Sequence, residues 1–231
     1  MDRILTRYPN KSQRALEILI PLVSWVIITM PLWLSFWHPA IVAYFVITFD
    51  MYWFYKSFTL AFHGIRSFLT LTAHTNVNWL AKARKEKHFK DLWHVVIIPE
   101  YKEPIHILRR TLDNLRKQTF PKKRMIVVIG TEANDPSAEA TATLLKKEYE
   151  KIFGHMLITE HKLQPGEIAG KSSNMAHAGR EAERFVRTLG IDMEYVTVTS
   201  CDADALLHPK YLSYLSLRYL TNPLRRDTFY Q

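Results

Sequence analysis

Hydrophobic and polar positions change rhythm partway along the chain. Residues 15–37, ALEILIPLVSWVIITMPLWLSFW, carry no charge after Glu17 for roughly 20 residues, enough for a helix to cross a ~30 Å hydrocarbon core. Pro21 and Pro31 lie inside this run, as bilayer helices tolerate where neighbours re-satisfy the freed carbonyls. After His38-Pro39 a second apolar run, residues 40–62, contains Asp50 and Lys56. Tyr44, Tyr52, Trp53 and Tyr55 in it are the amphipathic aromatics that favour headgroup depth. The pattern predicts a two-helix transmembrane hairpin with spans at about 16–37 and 40–62. A mixed stretch follows, either an interfacial helix or an extension of the second span, then a basic linker to residue 92.

From Trp93 the period shifts to alternating strands and helices. WHVVIIP (93–99) is a short β-branched run closed by Pro99, the pattern of a strand buried on both faces. Residues 104–117 have helical spacing at Ile105, Leu108, Leu112 and Leu115. Strands are expected at 125–129, 155–159 and 194–200, and helices at 136–153, 172–189 and from Pro209 onward. Asp135 is a cap candidate for the helix at 136–153, and Gly190 ends the helix at 172–189. Such alternation implies a largely parallel α/β sheet with right-handed crossovers. The expected organisation is therefore a membrane-hairpin region, 1–92, and an α/β region, 93–231.

Charge adds topology. The chain has 31 Lys+Arg against 22 Asp+Glu, a net charge of +9. Arg3, Arg7, Lys11 and Arg14 precede the first span, and Lys82, Arg84, Lys85, Lys87 and Lys90 follow the second. The turn between the spans has neither Lys nor Arg. The positive-inside rule then places both termini and the α/β region in the cytosol of a multi-pass protein. This distribution, without a nucleic-acid motif, argues against a nucleic-acid partner. One cysteine, Cys201, excludes an internal disulfide framework or a Cys-rich zinc site.

In open parallel sheets ligands bind at the carboxyl ends of the strands, so the chemistry is sought there. After the first strand, Pro99-Glu100-Tyr101-Lys102-Glu103-Pro104 offers an aromatic face in Tyr101 and an acceptor in Glu103. After the second comes the polar loop Gly130-Thr131-Glu132-Ala133-Asn134-Asp135. After the third, Gly170-Lys171-Ser172 resembles the tail of a P-loop, but its glycine spacing is wrong. What survives is a cation at a helix start, suited to a diphosphate. After the fourth, Cys201-Asp202-Ala203-Asp204 sets two carboxylates at i and i+2. A divalent cation such as Mg²⁺ or Mn²⁺ would relieve their repulsion. His208, shortly beyond, either approaches that site or begins a helix.

Taken in order, VVIIPEYKEP (95–104), Gln118-Thr119-Phe120-Pro121, MIVVI (125–129), Gly170-Lys171-Ser172-Ser173-Asn174-Met175-Ala176 and Ser200-Cys201-Asp202-Ala203-Asp204 resemble a family 2 glycosyltransferase. The likeness is to membrane-anchored members similar to cellulose and hyaluronan synthases. It implies a GT-A fold, Rossmann-like with a mainly parallel sheet, here a nucleotide-sugar half-domain. It implies Pro99, Tyr101 and Glu103 in a nucleoside pocket, Lys171 and Asn174 on the sugar nucleotide, and Asp202 with Asp204 as a D-x-D metal site. The implied reaction is inverting transfer of a sugar from a nucleotide-sugar, a UDP-sugar favoured, to a hydroxyl acceptor. The family's second strand usually ends in paired aspartates that recognise the base. Gly130-Thr131-Glu132 stands there instead, with Glu132 as the possible substitute. The family's acceptor-side carboxylate, the general base, and its Gln-x-x-Arg-Trp motif are expected beyond Gln231, so the resemblance reads the chain as the first part of a longer enzyme. The alternative is a non-catalytic nucleotide-sugar-binding or scaffold protein of the membrane.

Overall fold

The computed structural model describes residues 9–164, 166–168 and 170–230. Arg3 and Arg7, used in the topology argument, lie outside the described residues. The chain forms two compact units, Met1–His74 and Thr75–Gln231.

The first unit is helical: α1 is Pro9–Leu34 and most of α2, Pro39–Thr75, belongs here. Pro21 and Pro31 are accommodated within α1. Residues 63–75, left open between an interfacial helix and an extension, continue α2 without a break. Only α1 holds a stretch among the described residues that is long and apolar enough to cross a bilayer, Gln13–Leu34, with mean hydropathy 2.0. The expectation of two such spans is therefore corrected to one. The physical reason lies in the run itself, where Asp50, Lys56 and the amphipathic Tyr and Trp side chains lower the mean hydropathy. Lys56 lies 5.6 Å from the centroid of the Tyr52 ring one turn earlier.

The second unit is a four-stranded, all-parallel sheet in the order β3-β2-β1-β4. The elements are α3 (Trp79–Ala83), β1 (Trp93–Pro99), α4 (Ile105–Arg116), β2 (Met125–Glu132), α5 (Ala138–Tyr149), β3 (His155–His161), α6 (Lys171–Thr188), β4 (Val196–Ser200) and α7 (Tyr211–Thr221). Alternate residues of the inner strands serve two separate cores. Val95, Ile97, Ile126 and Val128 pack with Ala178, Ala182 and Val186 of α6. Val96, Ile98, Val127 and Ile129 pack with Leu108, Leu112 and Leu115 of α4, Leu145 of α5, and Leu212 and Leu215 of α7. Burial on both faces is why β1 and β2 read as continuous apolar runs. Residues 84–92, expected as part of a basic linker, send Phe89 and Leu92 into the second of these cores.

Strand ends differ from expectation where it matters most. Gly130-Thr131-Glu132, read as loop, extends β2 and pairs in register with Thr159-Glu160-His161 of a correspondingly longer β3. The polar side chains hid the strand, because the ladder is made by backbone groups that a hydropathy pattern does not report. Close packing also selects a glycine here. A Cβ at Gly130 would lie 2.7 Å from Asn174 Oδ1 and 3.2 Å from Ala178 Cβ, so its absence lets α6 sit against β2.

Candidate functional site

Four strand ends converge on one cavity of about 530 Å³. All eight residues singled out above line it: Pro99, Tyr101 and Glu103 after β1, Glu132 at the end of β2, Lys171 and Asn174 on the first turn of α6, and Asp202 and Asp204 after β4. The sheet is responsible for the convergence. Parallel strands bring their carboxyl ends to one edge, and each connection must leave from that edge.

The β1 loop is shaped by backbone capture. Lys102 adopts a left-handed conformation, φ 58°, and its N–H donates to Asp135 Oδ2 at 3.0 Å. Asp135 Oδ1 in turn accepts from the backbone N–H and the hydroxyl of Ser137. These bonds, led by the Ser137 hydroxyl, hold the Asp135 carboxyl below the usual carboxylate range. Asp135 thus joins the loops after β1 and β2 besides steadying the start of α5. Tyr101 is left half-exposed at the cavity, with the Lys102 ammonium 5.0 Å from its ring centroid.

The acidic pair is presented by alternation. Cys201 and Ala203 are buried, while Asp202 and Asp204 are exposed and line the cavity. Thr111 of α4 donates its hydroxyl to the Ala203 carbonyl, and Cys201 N–H donates to Ile97 O at 2.9 Å. The loop between the carboxylates is therefore pinned by its buried residues. Burial pushes the Cys201 thiol up to about 11, with the Asp204 charge adding and Lys171 opposing. Lys171 forms an ion pair with Asp202 across the cavity. Gln118, whose amide takes His208 O and Leu212 N–H, holds the segment that follows. His208 accepts the Lys210 N–H on Nδ1 at 3.2 Å, a turn-forming role before α7, and does not line the cavity.

Two of these residues also make contacts that the sequence did not suggest. Asn174 is a strut: its Nδ2 donates to Gly130 O at 2.9 Å and to Glu100 O at 3.5 Å, tying α6 to the ends of β1 and β2. Glu132 is engaged by His161, its partner in strand register, whose Nδ1 lies 3.0 Å from both carboxylate oxygens. His161 Nε2 meets Glu167 Oε2 at 3.1 Å. Burial alone would lower the His161 pKa, but the two carboxylates outweigh it and the net shift is upward. Sequence reasoning missed this cluster, because only strand register brings residues 132 and 161 together.

Glu100 was missed as well. It is 3% exposed, lines the cavity, and follows the last residue of β1. Its N–H continues the ladder to Gly130 O at 2.7 Å, and its Oε1 accepts the Glu103 N–H at 3.1 Å. The available signal was a carboxylate placed directly at a strand's carboxyl end.

Among the described residues no group of three or more His, Cys, Asp or Glu side chains is arranged to hold a metal. The Asp202 and Asp204 pair nevertheless suits a hard cation that completes its shell with phosphate and water oxygens.

No protein-family model matches the chain, and no curated protein matches it in sequence. Among solved structures, the mannosyltransferase PcManGT from Pyrobaculum calidifontis, in complex with GDP-Man and Mn²⁺, overlays with a TM-score of 0.40 at 20% identity, over 72% of this chain and 43% of that one. The chain thus spans less than half the length of that protein.

Proposed function

We propose that this chain carries the nucleotide-sugar donor site of a membrane-bound, divalent-metal-dependent glycosyltransferase of the family 2 kind. It would transfer a sugar, with inversion, from a nucleotide-sugar to a hydroxyl acceptor. The observation that carries this reading is the single cavity. An exposed aromatic ring with carboxylates beside it lines one part, and a cation with paired carboxylates lines another, as a nucleoside joined to a diphosphate requires.

In this reading Tyr101 stacks on the base, and Glu103 accepts from base or ribose. Asp202 and Asp204 would hold Mg²⁺ or Mn²⁺, which when bound neutralises charge developing on the diphosphate as its bond to the sugar breaks. Lys171, paired with Asp202, sits at the first turn of α6, where free backbone amides also favour an anion. Its ammonium is placed to exchange that carboxylate for a diphosphate oxygen. Asn174 holds α6 against β1 and β2 so that Lys171 keeps its place. In this reading α1 is the membrane-spanning element.

Titrating the full chain with nucleoside diphosphates, with and without Mn²⁺, tests the assignment. Wild type should bind at least ~10-fold more tightly with the metal, and Asp204→Ala should lose that gain. Equal metal-dependent binding by both proteins would overturn the metal site. Transfer of labelled sugar to water or an added acceptor then separates an enzyme from a binding protein.

A further inference from the structure

Two side-chain oxygens in the cavity lining are buried and have no hydrogen-bond partner: Glu100 Oε2 and Asn174 Oδ1. Their residues are 3% and 2% exposed, so bulk water does not satisfy them. The Asn174 amide cannot be turned over to remove its orphan. Its Nδ2 already donates to the Gly130 and Glu100 carbonyls, and a flip would set oxygen against oxygen there. Asn174 Oδ1 is therefore an acceptor, as Glu100 Oε2 is in the carboxylate form, and buried unpaired acceptors are costly unless a donor arrives.

Two other carboxylates of the lining are already engaged. Glu132 is held by His161, and Asp202 by Lys171. Glu100 keeps one oxygen for the Glu103 N–H and leaves the other open. Burial pushes its carboxyl above the usual range, and the Asp135 and Glu103 charges add to that, against the backbone N–H of Glu103. A donor placed against it would relieve the same strain. The neighbouring Tyr101 offers a flat surface to the ring that would carry such a donor.

We infer that Glu100 is the base-selecting residue of this cavity, accepting a ring N–H from the nucleobase, with Asn174 Oδ1 as the second acceptor. The inference rests on the donor-site reading above. It specifies the base by chemistry. Guanine and uracil carry an imino N–H on the pairing edge, and guanine adds an adjacent amino donor. Adenine and cytosine present a bare ring nitrogen there, and two acceptors facing each other repel. Discrimination by such a contact is strong, because the wrong base leaves a buried acceptor unpaired.

The experiment is calorimetric titration of the full chain in lipid nanodiscs with Mn²⁺ present. The probes are GDP, UDP, CDP and ADP, with inorganic pyrophosphate as the base-free control. Wild type should prefer GDP or UDP to CDP and ADP by at least ~10-fold. Glu100→Ala should bring that preference below ~3-fold while leaving pyrophosphate affinity unchanged. Glu100→Gln keeps the shape, so it folds where Ala fails; with its oxygen on the Glu103 N–H its amide N–H₂ faces the base, and the preference should fall below ~3-fold or turn toward CDP and ADP. A preference that survives both substitutions, a wild-type preference for ADP or CDP, or a matching loss of pyrophosphate binding would overturn the role of Glu100. A wild type that binds pyrophosphate but no nucleotide overturns it too, and one that binds neither overturns the donor-site reading with it.

Discussion

The two units spend the same residue types in opposite ways. In α1 and α2 large apolar side chains stand outward: Trp25 is 65% exposed and Phe36, at the end of α1, 84%. In the α/β unit Val127, Val128 and Leu145 are fully buried. A helix apolar all round is stable where the surroundings are themselves apolar, whereas a sheet faced with Val and Ile must bring helices over both faces. Hydrophobicity alone therefore does not identify a core. The spacing of the apolar positions, and what interrupts them, separates a side chain meant for lipid from one meant for protein.

The largest expected effect breaks that comparison with one substitution in two places. Val128→Asp puts an unpaired carboxylate between β2 and α6 and should cost ~4 kcal/mol or more, enough to unfold the α/β unit in a thermal melt. Val26→Asp on α1 should leave that melt unchanged and instead reduce recovery in the membrane fraction, at ~3 kcal/mol of insertion. Equal melts for the two variants would mean that α1 belongs to a protein core.

A single methyl sharpens the contrast further. Gly130→Ala forces Asn174 and Ala178 away from β2 and should lose ~1–3 kcal/mol, with donor binding weakened because Asn174 is the displaced strut. Gly64→Ala in α2, where an added Cβ meets nothing within 4 Å, should be neutral or gain about 0.5–1 kcal/mol of helix stability. Denaturant midpoints of the two variants measure the difference.

The most gradual effect is a slope, spread over several pH units. His94, fully buried, hydrogen-bonds Thr197 and Ser216; burial first, then the Arg124 charge, lowers its pKa to about 3. The unfolded chain takes up that proton near pH 6.5, so stability falls as pH drops from 6.5 toward 3, by about 1.4 kcal/mol per unit at most. His161 acts in the opposite sense. Its contribution is fully present below the unfolded value and is lost as pH rises through its raised folded value. His94→Gln should flatten the acid side of the α/β melt, and His161→Gln the neutral-to-basic side. Unchanged slopes would remove these histidines from the account.

Much of the site was legible because strand ends are. A β-branched run closed by Pro99 announces where β1 stops, and the chemistry follows it; the same holds for Asp202 and Asp204 after β4. What stayed hidden depends on pairing between distant segments. Glu132 seemed a free acceptor until the register of β2 and β3 put His161 beside it. Asn174 read only as a ligand contact; that it also ties α6 to Gly130 shows in the packed structure alone. Glu100 was passed over as an ordinary loop residue because its burial is a property of the assembled cavity. The second apolar run misled for a simpler reason: its length suggested a span, while Asp50, Lys56 and the polar-tipped Tyr44, Tyr52, Trp53 and Tyr55 count against one.

By itself the sequence determined the α/β alternation, the apolar α1 and the residue types gathered at the strand ends. Periodicity and charge spacing are local, and local rules govern helices, strands and caps. Tertiary structure alone decided which polar groups are paired. Hydrogen bonds such as Asn174 to Gly130 and ion pairs such as Lys171 to Asp202 join segments 44 and 31 residues apart, and burial sets the cost of any group left out. The open acceptors at Glu100 and Asn174 exist only at that level, and they are where this cavity can choose its ligand.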